Sequence, residues 1–283
     1  MAETIYTIPV SEAFEADCEC PVCELRKRFE ASTIDYFAGP SLMEPDTRIL
    51  TNDVGFCGRH FDLLYNSQAK KLGLGLMLDT YMTEQIARIE KYSKGVSVAS
   101  TASAAYAASA DSSDPADAAG SANVPDFADA PAEQPKKRGL FGKRASVSEG
   151  SYGGLVKYLK KHLCDCAVCQ KLDYTMSRYV DIIFHQYRSD SDFRAKVRNS
   201  KGFCIPHTAL LLELAPEKLS GSRRGEFCDL VVALLKENLK RIEGDVLWFT
   251  QKFDYRNQNA DWGNSRDALP RGIQKMTGNT DVL

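Results

Sequence analysis

Two cysteine–histidine patterns, one in each half of the chain, constrain this sequence more than any other feature. Cys18-Glu-Cys20-Pro-Val-Cys23 repeats as Cys164-Asp-Cys166-Ala-Val-Cys169 at an offset of 146 residues. Gly55-Phe-Cys57-Gly-Arg-His60 repeats as Gly202-Phe-Cys204-Ile-Pro-His207 at an offset of 147. Between these anchors Asp35/Asp181, Asp46/Asp192 and Arg48/Arg194 keep the first offset and Asn52/Asn199 the second, so one single-residue insertion reconciles the two copies. Unrelated segments would not hold such a register, and the pattern reads as duplication of one structural unit.

The residue types point to metal. A C-x-x-C pair offers two thiolates from one turn, and proline in Cys20-Pro-Val-Cys23 pre-sets the backbone of that turn. C-x-x-H offers a thiolate and an imidazole from one face of a helical turn. Together they supply the four soft or borderline ligands that zinc takes as a tetrahedron. The 33-residue gap between Cys23 and Cys57 leaves room for a helix out and a loop back, which predicts that each repeat closes its own site. The expected ligand sets are therefore Cys20/Cys23/Cys57/His60 and Cys166/Cys169/Cys204/His207, with two zinc ions per chain. Cys18 and Cys164 are left as additional ligands or reactive thiols. An iron–sulfur cluster on Cys18, Cys20, Cys23 and Cys57 is the alternative, since such clusters favour four thiolates; the histidine in both copies argues for zinc. Cys57/His60 and Cys204/His207 also resemble nucleophile–base pairs, but the neighbouring cysteines would compete for metal and no third orienting group is evident, so catalysis is the weaker reading.

Local signals favour helices throughout. Good helix formers follow each first cysteine cluster, Glu24–Phe37 and Gln170–Tyr187, and Gly39-Pro40, Pro45 and Ser189-Asp-Ser191 interrupt them. Cys228, Val232, Leu235, Leu239, Ile242, Val246, Phe249 and Phe253 recur at three- and four-residue spacing, as one buried helix face requires. No segment alternates at period two. The expected fold is all-α: two duplicated helical units, each organised around a Cys/His metal site and packed together, over residues 1–93 and 151–256. Residues 94–150 are expected to form a disordered linker and 257–283 a C-terminal tail. The linker reading rests on residues 97–134, which hold 14 alanines, six acidic residues and no lysine or arginine, too little apolar surface to offset the entropy of ordering. The basic run Lys136–Arg144 reads as a solvated patch at its end. His162 and His185 fall outside the repeat and take surface roles by default, though His162 is close enough to Cys164 to support a ligand.

Bulk properties exclude little. A net charge of −2 and a pI near 6.1 give no reason to expect nucleic-acid binding, which favours a basic domain or stripe. No apolar run approaches the roughly 20 residues of a membrane span. Met1–Asp17 lacks the charged start and apolar run of a secretory signal, which reads as a cytoplasmic protein. Nine cysteines in a reducing compartment then need a reason other than disulfides.

Cys20-Pro21-Val22-Cys23, Gly55–His60 and Gly202–His207 resemble an uncharacterised bacterial family, catalogued as a domain of unknown function and recognised by C-P-x-C followed by G-F-C-x-x-H, often in two copies. The second copy here carries Ala167 in place of the proline. Some members carry a transporter substrate-binding label, which the expected absence of a secretory signal does not support. The resemblance implies no activity. The sequence therefore reads as a zinc-stabilised interaction or regulatory protein with an unknown protein partner, the rival being an iron–sulfur or thiol-based redox protein.

Overall fold

The structure, a computed structural model, describes residues 2–67, 71–93, 152–163 and 165–278. The expected linker over 94–150, the basic run 136–144 and Cys164 lie outside the described residues. Among the described residues all regular structure is helical, with eleven α-helices. The chain divides into two units, residues 1–84 with 161–283, and residues 85–160. Both halves of the repeat and all eight expected ligands belong to the first. In the second, the Tyr92 ring stacks on Tyr158 with centroids 5.1 Å apart.

The duplication is visible in the helices. α1 (Ala2–Glu15) leads into α2 (Pro21–Ala38), α3 (Pro45–Val54), α4 (Gly58–Asn66) and α5 (Lys71–Ser93). α6 (Gly153–His162) likewise precedes α7 (Ala167–Ser189), α8 (Ser191–Asn199), α9 (Ile205–Lys218) and α10 (Gly221–Gln251), and α11 (Ala268–Thr277) is added at the end. The starts of α2 and α7 differ by 146 positions, those of α3 and α8 by 146 and those of α4 and α9 by 147, the offsets of the sequence repeat. Proline opens α2 and α3 at their first helical position, where its missing N–H costs no hydrogen bond. Pro45 therefore breaks the chain and begins the next helix in one step.

α2 and α7 are the antiparallel centre of the first unit, and two apolar clusters sit at their opposite ends. Val22, Cys23 and Leu25 from the start of α2 pack with Tyr179, Ile183 and Tyr187 from the end of α7, and with Phe203, Leu211 and Phe227. Ile34, Phe37 and Ala38 from the end of α2 pack with Ala167, Val168 and Leu172 from the start of α7, and with Phe56, Leu64 and Met77. A helix of 18 residues is about 27 Å long at 1.5 Å per residue. Whatever follows α2 in the chain thus emerges at the far end of the bundle, beside the start of α7. The amide N–H of Ala167 donates to the carbonyl of Gly55 at 2.9 Å, joining the two repeats there.

The Gly-Phe-Cys elements place the second half of each ligand set. Gly55 and Gly202 take φ of 64° and 71°, the left-handed region that favours glycine. A Cβ on Gly55 would also lie 2.4 Å from the Tyr81 ring, and one on Gly202 would lie 2.9 Å from Leu234 Cβ. Phe56 and Phe203 are buried beside them and anchor each turn in its cluster.

The expected stripe on the long helix is off by one residue over its first half. The buried positions of α10 are Phe227, Val231, Leu234, Asn238 and Ile242, while Val232 is 41% exposed. Asn238 hides this face from an apolar pattern. Its amide donates to the Leu234 carbonyl at 3.0 Å and its side-chain oxygen accepts from Arg241 Nε at 3.0 Å, so a polar residue sits satisfied in the core. From Ile242 to Phe249 the expected stripe does pack, against the C-terminal segment: Ile242 and Val246 approach Gly272, and Phe249 meets Trp262 with ring centroids 5.9 Å apart, whereas Phe253, the last expected position, is 73% exposed.

Candidate metal centres

Cys20, Cys57, Cys166 and Cys204 each occupy the residue before a helix, with extended backbone, and open α2, α4, α7 and α9. Cys23, His60, Cys169 and His207 follow three positions later. The first turn of a helix has amide N–H groups without intrahelical partners and the positive end of the helix dipole, which together stabilise thiolates. The N–H of Cys169 points at Cys166 Sγ, 3.5 Å away. Each motif is thus a helix start that presents two ligands and a favourable field.

The eight residues gather into two groups of four, Cys20/Cys23/Cys204/His207 and Cys57/His60/Cys166/Cys169, with the ligand atoms of each group within 4.8 Å of one another. Both groups cross the repeat. The expected pairing of Cys20 and Cys23 with Cys57 and His60, and of Cys166 and Cys169 with Cys204 and His207, is therefore corrected. The reason is the length and direction of α2 and α7. The chain goes out along α2 and does not loop back, so Cys57 and His60 meet the C-x-x-C of the antiparallel helix.

In the Cys20 centre, His207 Nδ1 lies 3.4 Å from both Cys20 and Cys23 Sγ and 3.0 Å from Cys204 Sγ, and Cys23 and Cys204 Sγ are 3.6 Å apart. In the Cys57 centre, His60 Nδ1 lies 3.1 Å from Cys57, 3.2 Å from Cys166 and 3.4 Å from Cys169, and Cys57 and Cys169 Sγ are 4.0 Å apart. Sulfurs bound at about 2.3 Å to one tetrahedral ion are about 3.8 Å from one another. Both groups thus have the size and donor set of a single-ion, three-sulfur, one-nitrogen site. Cys18 belongs to neither group. Its thiol points at the Ala13 carbonyl, 3.7 Å away, and burial, aided by Cys20, pushes its pKa up to about 11. His162 instead stacks on Tyr81, and Cys228 packs at the edge of the core.

The supporting residues were not expected, and they differ between the centres. Around the Cys57 centre, Glu30 Oε1 accepts from His60 Nε2 at 3.1 Å, and Arg59 Nη2 donates to Glu30 Oε2 at 3.0 Å. Carboxylates behind metal-bound imidazoles fix their tautomer and orientation and raise their basicity. The His60 hydrogen bond, helped by Arg59, lowers the Glu30 carboxyl to about 2 against the cost of its burial. Burial also opposes charge on His60, yet hydrogen bonds to Cys166 and Glu30 outweigh it and raise the imidazole to about 10. At the repeat offsets, Met176 stands opposite Glu30 and Pro206 opposite Arg59, so these positions offer His207 no such clamp. It lines a groove with Val22, Arg26, Met176 and Leu214. Glu30→Met should accordingly weaken metal binding at the Cys57 centre roughly 10–100-fold and leave the Cys20 centre unchanged, as read by competition with a chromogenic chelator. Equal weakening of both centres would show that Glu30 acts on the fold and not on His60.

The Cys20 centre is covered by a buried ionic cluster. Glu19 is 4% exposed and Lys275 0%. Lys275 Nζ donates to the carbonyls of Glu19 at 2.5 Å and Lys201 at 2.9 Å and lies 3.3 Å from Glu19 Oε2. Arg241 Nη2 donates to Glu19 Oε2 at 2.5 Å, and Arg271 bridges to Asp245 at 3.0 Å. α11 thus packs on the body through an ammonium beside Cys20. A lysine after a polar tail carries no pattern that would have revealed this role.

A family profile described as "Family of unknown function (DUF6062)" matches residues 1–282. The chain belongs to this family. Comparison with curated proteins and with solved structures finds no match. The duplicated motifs of the DUF6062 chain are thus the motifs that meet across its two repeats, and no helix among its described residues is long and apolar enough to cross a membrane.

Proposed function

We propose that this protein is a zinc-stapled helical scaffold that serves an interaction or regulatory role in the cytoplasm, with two zinc ions holding two repeats as one body. The observation that carries this reading is the crossing of the ligand sets: each group takes two ligands from each repeat. Metal bound this way contributes folding free energy directly, because the unfolded chain has no preformed site. The ligands complete a closed four-coordinate set, which is the structural type of zinc site; catalytic zinc keeps a position open for water or substrate. Separation of the ligand atoms by no more than 4.8 Å favours one ion over an iron–sulfur cluster, whose several irons would hold the thiolates further apart. The remaining surface offers a protein partner exposed apolar side chains such as Leu72, Leu76 and Met82 on α5.

Purified without chelator, the full chain should contain two equivalents of zinc and no visible absorption band from iron. Elemental analysis with an absorption spectrum checks both statements at once. Iron and labile sulfide in stoichiometric amount would establish the redox alternative, and protein that folds with neither metal would overturn the scaffold reading.

A further inference from the structure

The two centres have the same ligand types and opposite surroundings. In the Cys20 centre all three cysteines are buried, Cys20 and Cys204 at 0% and Cys23 at 1% exposure. Lys275 Nζ donates to the carbonyl of Glu19, the residue before Cys20, at 2.5 Å. Three thiolates, one neutral imidazole and a divalent ion carry one net negative charge, and a buried ammonium offsets it. In the Cys57 centre His60 and Cys166 are buried, each at 1% exposure, while Cys57 and Cys169 are half-buried. Cys169 Sγ faces Cys57 Sγ at 4.0 Å and His60 Nδ1 at 3.4 Å, and the nearby guanidinium of Arg59 is engaged by Glu30.

Oxidation of cysteine follows thiolate character and exposure. Metal-bound sulfurs are held as thiolates, so exposure and charge decide which of them react. We infer that Cys57 and Cys169 form an oxidation site for peroxides, at which a disulfide replaces the metal. Their Sγ atoms are 4.0 Å apart, against the 2.05 Å of a formed bond, a gap that two side chains on separate helix starts can close. The Cys57 thiolate attacks one peroxide oxygen, giving sulfenic acid and hydroxide. The Cys169 thiolate then attacks that sulfur and expels the second hydroxide. Two thiolates are oxidised by two electrons, the peroxide O–O bond is reduced, one S–S bond forms, and zinc leaves in its original oxidation state because Cys166 and His60 alone cannot hold it. Cys23 and Cys204 are closer, at 3.6 Å, but buried and next to the ammonium, so that centre resists. This inference rests on the metal reading above.

The test uses the full chain with its metal content measured first, so that failure of the metal reading is seen before oxidant is added. Hydrogen peroxide is titrated in while released zinc is followed with a chromogenic chelator, and linked peptides are mapped by mass spectrometry, which separates the site from the cysteines outside both centres, Cys18, Cys164 and Cys228. The expected result is release of one of two zinc equivalents, roughly tenfold faster than the second, with Cys57 linked to Cys169 and recovery of zinc binding after reduction. Release of both at one rate, a Cys23–Cys204 link formed first, or oxidation of Cys57 and Cys169 no faster than that of the buried cysteines would each overturn the inference. Cys57→Ser should abolish the fast release and the link; fast release persisting in that variant would overturn it as well.

Discussion

Expressed alone, residues 1–93 should bind no metal as a monomer, even though they contain a complete C-x-x-C and C-x-x-H. The two halves of that set lie at opposite ends of α2, about 27 Å apart by helix rise, and each finds its complement in the other repeat. The isolated segment lacks α7 and α9, which close both centres and both apolar clusters. Mixing it with residues 152–283 should restore two metal equivalents and a cooperative unfolding transition, because metal binding and assembly are then one equilibrium. Elemental analysis after size-exclusion chromatography reads both outcomes. A monomeric 1–93 with a bound ion would mean that the repeats close their own sites. A self-associated 1–93 that binds metal would show one copy standing in for the other repeat and leave the crossed pairing intact. A fragment that does not fold leaves a second measurement in the full chain. Cys57→Ala should accelerate amide exchange at residues 166–169 more than at residues 20–23. The opposite pattern would restore the in-repeat pairing.

Those alternatives mark where sequence reasoning stops. The identity of the eight ligands is readable because metal chemistry restricts residue type and because duplication repeats the restriction. Helix class is readable from spacing and from proline at Pro21 and Pro45. The pairing is not readable, because the 33 residues between Cys23 and Cys57 fit equally a chain that returns and one that stays at the far end. What decides is that α2 and α7 are long, antiparallel and each other's main partner, a tertiary fact with no local signal. The face of α10 is obscured for a related reason. Asn238 looks like a surface residue until its hydrogen bonds to Leu234 and Arg241 are known. Glu30 and Arg59 carry no such signal, since their neighbours differ between the repeats as well, Arg28 against Tyr174, Phe29 against Thr175 and Gly58 against Ile205.

Lys275→Met should strip the Cys20 centre of metal far more readily than the wild type and leave the Cys57 centre loaded. The substitution keeps the length of the side chain and removes its charge. Glu19 then keeps Arg241 but loses its closest ammonium, and the carbonyls of Glu19 and Lys201 lose a donor inside the protein. Removing one partner of a buried ion pair costs about 3–5 kcal/mol when the charge left behind is uncompensated; Glu19 keeps Arg241 at 2.5 Å and Arg271 at 3.7 Å, so the loss here is smaller than that. A second effect falls on the metal: a centre with three thiolates keeps its net negative charge in a low-dielectric site, where charge is expensive. Burial draws the Lys275 pKa below its ordinary value, against the pull of Glu19 and Cys20. In the sign convention of proton linkage a lowered lysine pKa makes the charged form less favourable in the folded state than in the unfolded chain. The cluster is therefore held against that cost by Glu19 and the two carbonyls, and by the metal–thiolate charge when the ion is bound. Denaturant unfolding of the metal-loaded variant should show a midpoint shift of matching size, and chelator competition should remove one equivalent early. Loss of both equivalents together would mean that α11 supports the whole bundle and not the centre it covers. An unchanged midpoint with both ions retained would mean that the ammonium contributes nothing to either.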